Sequence, residues 1–485
     1  MLLKTPWMSA LFIVASLLAS QTQAQTVEER LDRIEKKMSR DKSSLSKKID
    51  KLAEQFTING FLTAGLVTTD SDGTYDDTEI NDELCFHCDS LVGLQMNFAL
   101  DEKSGITTQF LGKGGNDSFD VGMEWAYFYF KPQSNLTLRA GRMRTPFYAN
   151  SEFLDVGFAY PWARLPKEIY NISLSTFEGV DLNYRTAAGP VDLELQAYTG
   201  SAVERNTTFD YSLDKAMGVI LKPSYGPLSV RLGYHQAAVD FDLIGSSDSL
   251  AVALRGIGID NVEAENASAS FTGVALTWDD GSLYAQVEYA DLQLEDFVTR
   301  AVESYTAITG YKIQQWMPYV YYTHAKSNNA DDYEQNIAIV DQTVATLQPA
   351  IAVLSAYDPN DPVSVATVQA VLSSLAASDP TLADLASDIG SGGGNQFAVA
   401  QVASGLQSSV DGLNAASAGL FAANLMEQTS YGIGLRYDIS VKTAVTFEAQ
   451  RFTDFGDDLT SKGYWDDYTD RDDVTMYSVV FNAVF

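Results

Sequence analysis

Cys85-Phe86-His87-Cys88 gathers both cysteines of the chain and one of its three histidines within four residues. Two thiolates with His87 and a nearby Glu83 or Asp89 would bind zinc, but a lone C-x-x-C is only half of a usual site. Outside a reducing compartment the same sulfurs join as a strained disulfide that clips the surrounding loop; that bond between Cys85 and Cys88, with no metal, is the expected state. Neither His235 nor His324 has a recognisable catalytic partner in the sequence. No G-x-S-x-G elbow or phosphate-binding Gly-Lys-Ser/Thr loop occurs, and Gly392-Gly393-Gly394 lies between helical runs. No catalytic constellation, cofactor or enzymatic activity is expected.

A second kind of chemistry is electrostatic. Arg139, Arg142 and Arg144 lead into the segment 145-177, Arg164, Lys167 and Arg185 come from it and from the next strand, and Glu152, Asp155 and Glu178 supply the opposite sign. Opposed charge rows across a constriction order water and ions. The alternative use is a set of rim ion pairs that hold the segment in place. Arg142 and Arg144 share one phase of a two-residue period and Arg139 the other, so a bulge near Gly141 is required if all three face one cavity. Over the whole chain 32 basic residues stand against 64 acidic ones, a formal charge of -32. That balance excludes a nucleic-acid binder, because phosphates are met by clustered Lys and Arg.

The elements that must position these groups start with an export signal. Lys4, the 13-residue apolar run Trp7 to Ala19 and Thr22-Gln23-Ala24 follow the order of a signal peptide over 1-24, and the run is too short to span a bilayer. No later stretch reads as a membrane-crossing helix. Over 25-54 apolar residues fall on a heptad. Leu31, Met38, Leu45 and Leu52 are seven apart, with Val27 and Ile34 four residues before the first two, while Asp41 and Lys48 weaken the seam toward its end. This predicts a short, self-associating coiled coil. Past Glu54, 22 basic residues face 57 acidic ones.

At Phe56 the period changes to 2, the switch from helix to strand. Ile58, Leu62, Ala64 and Leu66 share one face against Thr57, Asn59 and Thr63; Tyr431, Ile433, Leu435, Tyr437 and Ile439 alternate with Gly432, Gly434, Arg436 and Asp438. A soluble sandwich would bury the apolar face, whereas a membrane barrel gives it to lipid and turns the charges toward a wet lumen. Sixteen segments read as strands: 56-68, 90-101, 105-113, 121-132, 136-145, 178-187, 190-200, 215-224, 227-240, 267-279, 282-295, 304-313, 315-326, 428-439, 442-455 and 475-485. Tight turns such as Ala188-Gly189, Tyr225-Gly226 and Asp280-Gly281 alternate with long loops, the asymmetry of an outer-membrane barrel. The fold class is therefore all-β, a 16-stranded antiparallel transmembrane β-barrel over 55-485, with a short N-terminal coiled-coil helix and an α-helical loop insertion.

Two long loops stand out. The segment 145-177 holds Pro146-Phe147-Tyr148 and Gly157-Phe158-Ala159-Tyr160-Pro161-Trp162, too much apolar surface to stay in water, so it should fold into the barrel. The insertion 331-427 has 11 acidic residues and no Lys or Arg, with helical runs at 334-356, 362-376, 380-389 and 396-425. Strand parity puts it on the outer rim.

The last strand carries Tyr477, Val479, Phe481, Ala483 and Phe485 on one face and ends on the aromatic. Here the sequence resembles the Gram-negative outer-membrane porins, in particular the subgroup with an N-terminal periplasmic coiled coil. The resemblance implies a homotrimer of 16-stranded barrels in the outer membrane, in contact with its lipid and lipopolysaccharide, that passes small hydrophilic solutes and ions by diffusion. It makes Tyr477, Phe481 and Phe485 the assembly signal read by the barrel-assembly machinery, and it places the constriction in the loop after the fifth strand. The 97-residue insertion departs from the family pattern. A substrate-specific channel, or a surface receptor or adhesin built on the insertion, stand as alternatives.

Overall fold

The computed structural model describes residues 29–46, 55–75, 78–115, 118–172, 176–205, 209–243, 246–295, 301–377, 379–393, 395–421, 425–455, 463–466 and 473–485. The signal peptide, Val27 and Leu52 lie outside the described residues. The helix α1, residues 29–46, stands clear of the barrel, with Leu31, Ile34, Met38 and Leu45 each more than half exposed on it.

Sixteen long strands follow: β1 (Phe56–Thr69), β2 (Leu91–Ala99), β3 (Ser104–Gly115), β4 (Ser118–Gln133), β5 (Leu136–Arg144), β6 (Thr176–Ala188), β7 (Val191–Arg205), β8 (Phe209–Tyr225), β9 (Leu228–Leu243), β10 (Ala264–Asp279), β11 (Leu283–Leu294), β12 (Val302–Tyr311), β13 (Trp316–Ser327), β14 (Glu427–Ser440), β15 (Thr443–Thr453) and β16 (Val474–Val484). Each pairs antiparallel with the next. β16 also pairs with β1, from Phe61 opposite Val484 to Thr69 opposite Met476, and the sheet closes.

Alternation decides which way each side chain looks. On β1, Thr63, Val67 and Thr69 are buried inward while Leu62 and Ala64 are exposed; on β16, Met476, Ser478, Val480 and Asn482 are inward while Tyr477 and Val479 are exposed. An exposed apolar face and a covered polar one is the reverse of a soluble sandwich and fits a barrel whose outer solvent is lipid. Two aromatic rows bound the apolar band, as aromatic side chains do where hydrocarbon meets water. Near the short turns lie Trp278, Tyr311 and Trp316, the last with its ring centroid 4.3 Å from that of Tyr437; toward the long loops lie Tyr305, Tyr322 and Tyr431, successive centroids 5.8 and 5.2 Å apart. Tyr431 and Tyr437 are six residues apart on one strand, about 20 Å at the rise of a β-strand.

The short turns are closed by local chemistry. Between β10 and β11, Gly281 takes φ +83°, a left-handed conformation that costs glycine little, and the Asp280 Oδ1 accepts the N–H groups of Ser282 and Leu283 at 2.9 and 2.8 Å.

The insertion forms four helices, α3 (Ala330–Ser355), α4 (Pro362–Leu375), α5 (Thr381–Gly390) and α6 (Gln396–Ala416). The run 396-425 stops being α-helical at Ala416 and continues as one π-turn over Ser417–Phe421. Asp361 starts α4 by accepting the Val363 N–H at 3.0 Å, and Asn395 starts α6 by accepting that of Ala398. At its far end the insertion has an apolar core of its own, Leu354, Val368, Leu372, Ile389 and Val399 among it. Its base packs through Tyr333, Val340 and Leu413 onto Leu254 of α2 (Ser246–Gly256), a helix between β9 and β10. One sequence expectation is corrected here: α3, with 26 residues, is long and apolar enough to cross a membrane. Its buried apolar positions pack instead within the protein, Tyr333 and Val340 toward α6 and α2 and Leu354 toward α4, α5 and α6.

Candidate pore constriction

The segment 145–172 enters the barrel after β5 and folds against the inner wall. Phe147, Tyr148, Tyr160, Trp162, Ile169 and Tyr170 are buried with Phe271, Ile308, Tyr319 and Tyr321 of β10, β12 and β13. Trp162 and Ile169 have no exposed surface.

Four charged side chains from the wall bind this loop through its own backbone. Arg231 of β9 donates to the carbonyls of Pro146 and Phe147, the latter at 2.8 Å. Glu288 of β11 accepts the Ala149 N–H at 2.6 Å and the Tyr170 hydroxyl at 2.8 Å. Arg436 of β14 donates to the carbonyls of Phe158 and Tyr160 at 2.9 and 2.8 Å. Glu448 of β15 accepts the Ala163 N–H at 3.1 Å and the hydroxyls of Tyr319 and Tyr321 at 2.5 and 3.0 Å. Apart from two short 3₁₀ turns, Ser151–Phe153 and Gly157–Ala159, the loop has no regular structure, so its buried backbone groups need other partners, and these side chains supply them. Gly432 and Gly434 let this happen. A Cβ at either would stand 1.9 or 2.0 Å from the ring of Tyr321 or Tyr319, so the missing side chains allow both rings to lie flat on β14 and reach Glu448.

The charges singled out in the sequence divide into three groups. Arg144, Asp155 and Arg164 tie the loop down: Arg144 donates to Asp155 and, at 3.1 Å, to Glu124, Lys113 reaches Asp155 at 2.9 Å, and Arg164 grips Asp89 with two nitrogens. Burial works to raise the Asp155 carboxyl, but the Arg144 and Lys113 charges outweigh it and hold it below the ordinary carboxylate range. Lys167 is half-buried on the returning limb of the loop.

Arg139, Glu152 and Arg185 belong to the second group. With Tyr127, Tyr129 and Lys131 they line an open polar cavity of about 480 Å³ along β2 to β6, on the side that the loop leaves uncovered. Arg139 pairs with the fully buried Asp181 at 2.6 Å and stacks over Tyr127, while Arg185 lies 3.3 Å from Glu194 and keeps most of its surface exposed.

Arg142 and Glu178 form the third group, and here the expectation is corrected. They are opposite each other and paired at 3.1 Å, in the same phase as the exposed Val180 and opposite to Asp181 and Phe177. They therefore lie on the outer face of the barrel. The bulge required to bring them inside does not form: Gly141 takes φ +135°, yet the ladders on both sides run through it without a shift. Arg144, at the strand end where the chain turns inward, escapes the alternation.

At the rim of the long loops a disulfide joins Cys85 to Cys88, and two backbone hydrogen bonds between Cys85 and Val67 pin the clip onto β1. Phe452, Trp465 and Tyr75 pack around it. Tyr477, Phe481 and Phe485 share the outward phase of the last strand, Tyr477 near its long-loop end and Phe485 at the short-turn rim, where the Phe485 backbone exchanges both hydrogen bonds with Gly60 at 2.9 Å.

Sequence reasoning missed Arg231, Glu288, Arg436 and Glu448 as loop anchors. The signal was present, since each charge occupies the inward phase of a strand whose other phase is mainly apolar.

No family model matches the chain, and no curated protein matches it. Among solved structures it is similar to the outer membrane channel DcaP of Acinetobacter baumannii, at 11% identity and a TM-score of 0.47 over 89% of this chain and 97% of that one. It is also similar to OmpF of Salmonella typhi in complex with daunomycin, at 10% identity, TM-score 0.46, with 89% and 97% covered. The anion-selective porin from Comamonas acidovorans gives 12% identity, TM-score 0.45, with 89% and 99% covered. Likenesses this distant assign neither substrate nor site to this chain.

Proposed function

We propose that the protein is an outer-membrane porin, a water-filled channel for passive diffusion of small hydrophilic solutes and ions. The observation that carries this is the split of the lumen: the loop 145–172 is anchored to one wall and leaves a polar, charged cavity beside the other. Barrels of roughly sixteen strands leave an aqueous interior unless it is filled, and here it is filled on one side only. Arg139, Glu152 and Arg185 set the selectivity of the passage. The uncovered stripe of Leu31, Ile34, Met38 and Leu45 supports a homotrimer joined in the periplasm by α1, and the apolar outer band supports contact with outer-membrane lipid and lipopolysaccharide. Phe485 and its outward neighbours serve the barrel-assembly machinery.

Planar-bilayer recording on the purified protein tests this. Stepwise, non-saturating conductance with a measurable reversal potential in a salt gradient is expected; no conductance, or currents blocked saturably by a single solute, would replace the general pore with a plug or a substrate-specific channel. The separate core of the insertion favours a second role as a surface receptor. Deleting 331–427 would then abolish partner binding and leave conductance intact.

A further inference from the structure

We propose that the first outer loop is a redox-gated site for a soft divalent cation such as Zn²⁺, held by Sγ of Cys85 and Cys88 and Nδ1 of His87 once the disulfide is reduced. The three donor atoms already lie within 4.8 Å of one another. The imidazole is held. Its Nε2 lies 2.5 Å from the Glu79 carboxylate, and Cys85 Sγ sits against the ring, 3.6 Å from Nδ1 and 3.8 Å from Nε2. A carboxylate bonded to one ring nitrogen leaves the other for a metal ion, the outer-shell arrangement that orients metal-binding imidazoles.

The disulfide is not the only thing that keeps this geometry. Cys85 is held by its two backbone bonds to Val67, and the Cys88 N–H donates to Cys85 Sγ at 3.1 Å, a bond that stabilises a thiolate. Apolar neighbours Val67, Tyr75 and Ile80 close one side of the site. Asp89 is taken by Arg164. Three protein ligands leave a fourth position for water, as in zinc sites that exchange a ligand. Eight acidic residues over 70-89 raise the local concentration of cations.

The chemistry balances. A dithiol reductant gives two electrons and two protons to the S–S bond and itself closes to a disulfide. When the ion binds, the two thiol protons leave to solvent and both sulfurs ligate as thiolates.

The full-length folded protein is reduced with a dithiol, freed of excess reductant, and titrated with Co²⁺ as the probe. The expected result is a thiolate-to-cobalt charge-transfer band saturating at one ion per chain, bleached by Zn²⁺ and absent from the oxidised protein and from a Cys85→Ser, Cys88→Ser double variant. His87→Ala and His87→Gln should bind at least tenfold more weakly, and Glu79→Gln about ten- to a hundredfold more weakly. Heat-modifiable gel mobility confirms that each variant keeps its barrel. No band in the reduced, folded protein, or wild-type affinity in the His87 or Glu79 variants, overturns the proposal.

Discussion

The two sides of the lumen are built from the same residue types and use them differently. On the wall from β9 to β15, Arg231, Glu288, Arg436 and Glu448 are buried and face backbone groups of the loop. On the wall from β2 to β6, Arg139 and Arg185 look into an open cavity with Glu152. A charge that has given up its water for a backbone amide or carbonyl acts as an anchor and offers little field to a passing ion. One that keeps its water can select ions. Burial, and not charge, separates the two roles.

The strongest way to break the comparison is to free the anchored side. Replacing Glu448 with Leu strands the Ala163 N–H and the hydroxyls of Tyr319 and Tyr321, and replacing Arg231 with Leu strands two carbonyls. Each such bond to a charged partner is worth about 1.5–3 kcal/mol. The double variant is expected to show a protease-sensitive 145–172 segment and a noisy, enlarged single-channel conductance. A quiet channel of wild-type size would mean that the loop is held by its apolar contacts alone.

Acid should loosen the same loop at its other tie, and the sign follows from Asp155. Its carboxyl is held below the ordinary range, so the tie to Arg144 and Lys113 is at full strength above about pH 4, the usual carboxylate pKa, and is lost as pH falls through the lower folded value. Conductance noise should thus rise only below that point, and Asp155→Asn should show the noise at neutral pH and lose the transition.

On the open side the effects are smaller and have opposite signs. Arg185→Gln should move the reversal potential toward cations, Glu152→Gln toward anions, and Arg142→Gln, on the outer face, should leave it at the wild-type value. A shift with Arg142→Gln equal to that of Arg185→Gln would put the ladder through Gly141 in the wrong phase. The smallest effect is expected from neutralising exposed acids of 331–427. Their field is screened beyond about 8–10 Å at physiological salt, so any change in selectivity should appear only at low ionic strength.

How much of this was legible beforehand depends on the information that period 2 encodes. Alternation fixes which face a residue takes, so the sixteen strands, the outward phase of Tyr477 and Phe485 and the inward phase of Glu288 and Arg436 are all readable from the chain. It does not say what lies across the lumen. That Glu448 meets the Ala163 N–H, 285 positions away, depends on the path of an irregular loop, and no local pattern contains that path. The arginines show the same boundary from the other side. Arg139 and Arg142 differ in phase, the simple reading of that difference was correct, and assuming a bulge to gather them was not. At Arg144 the simple reading fails, because the strand ends there and the chain turns.

The seam between β1 and β16 has a consequence for assembly. Phe485 gives and receives a hydrogen bond with Gly60, its ring fills the space above that glycine, and the ladder continues from Phe61 opposite Val484 to Thr69 opposite Met476. Until that seam forms, β1 and β16 are two open margins, each a row of free amides and carbonyls on which another copy could add. Closure thus gives the sheet a finite size: a barrel has no edge to extend, whereas a sheet that fails to join these two strands stays open to growth and to proteolysis.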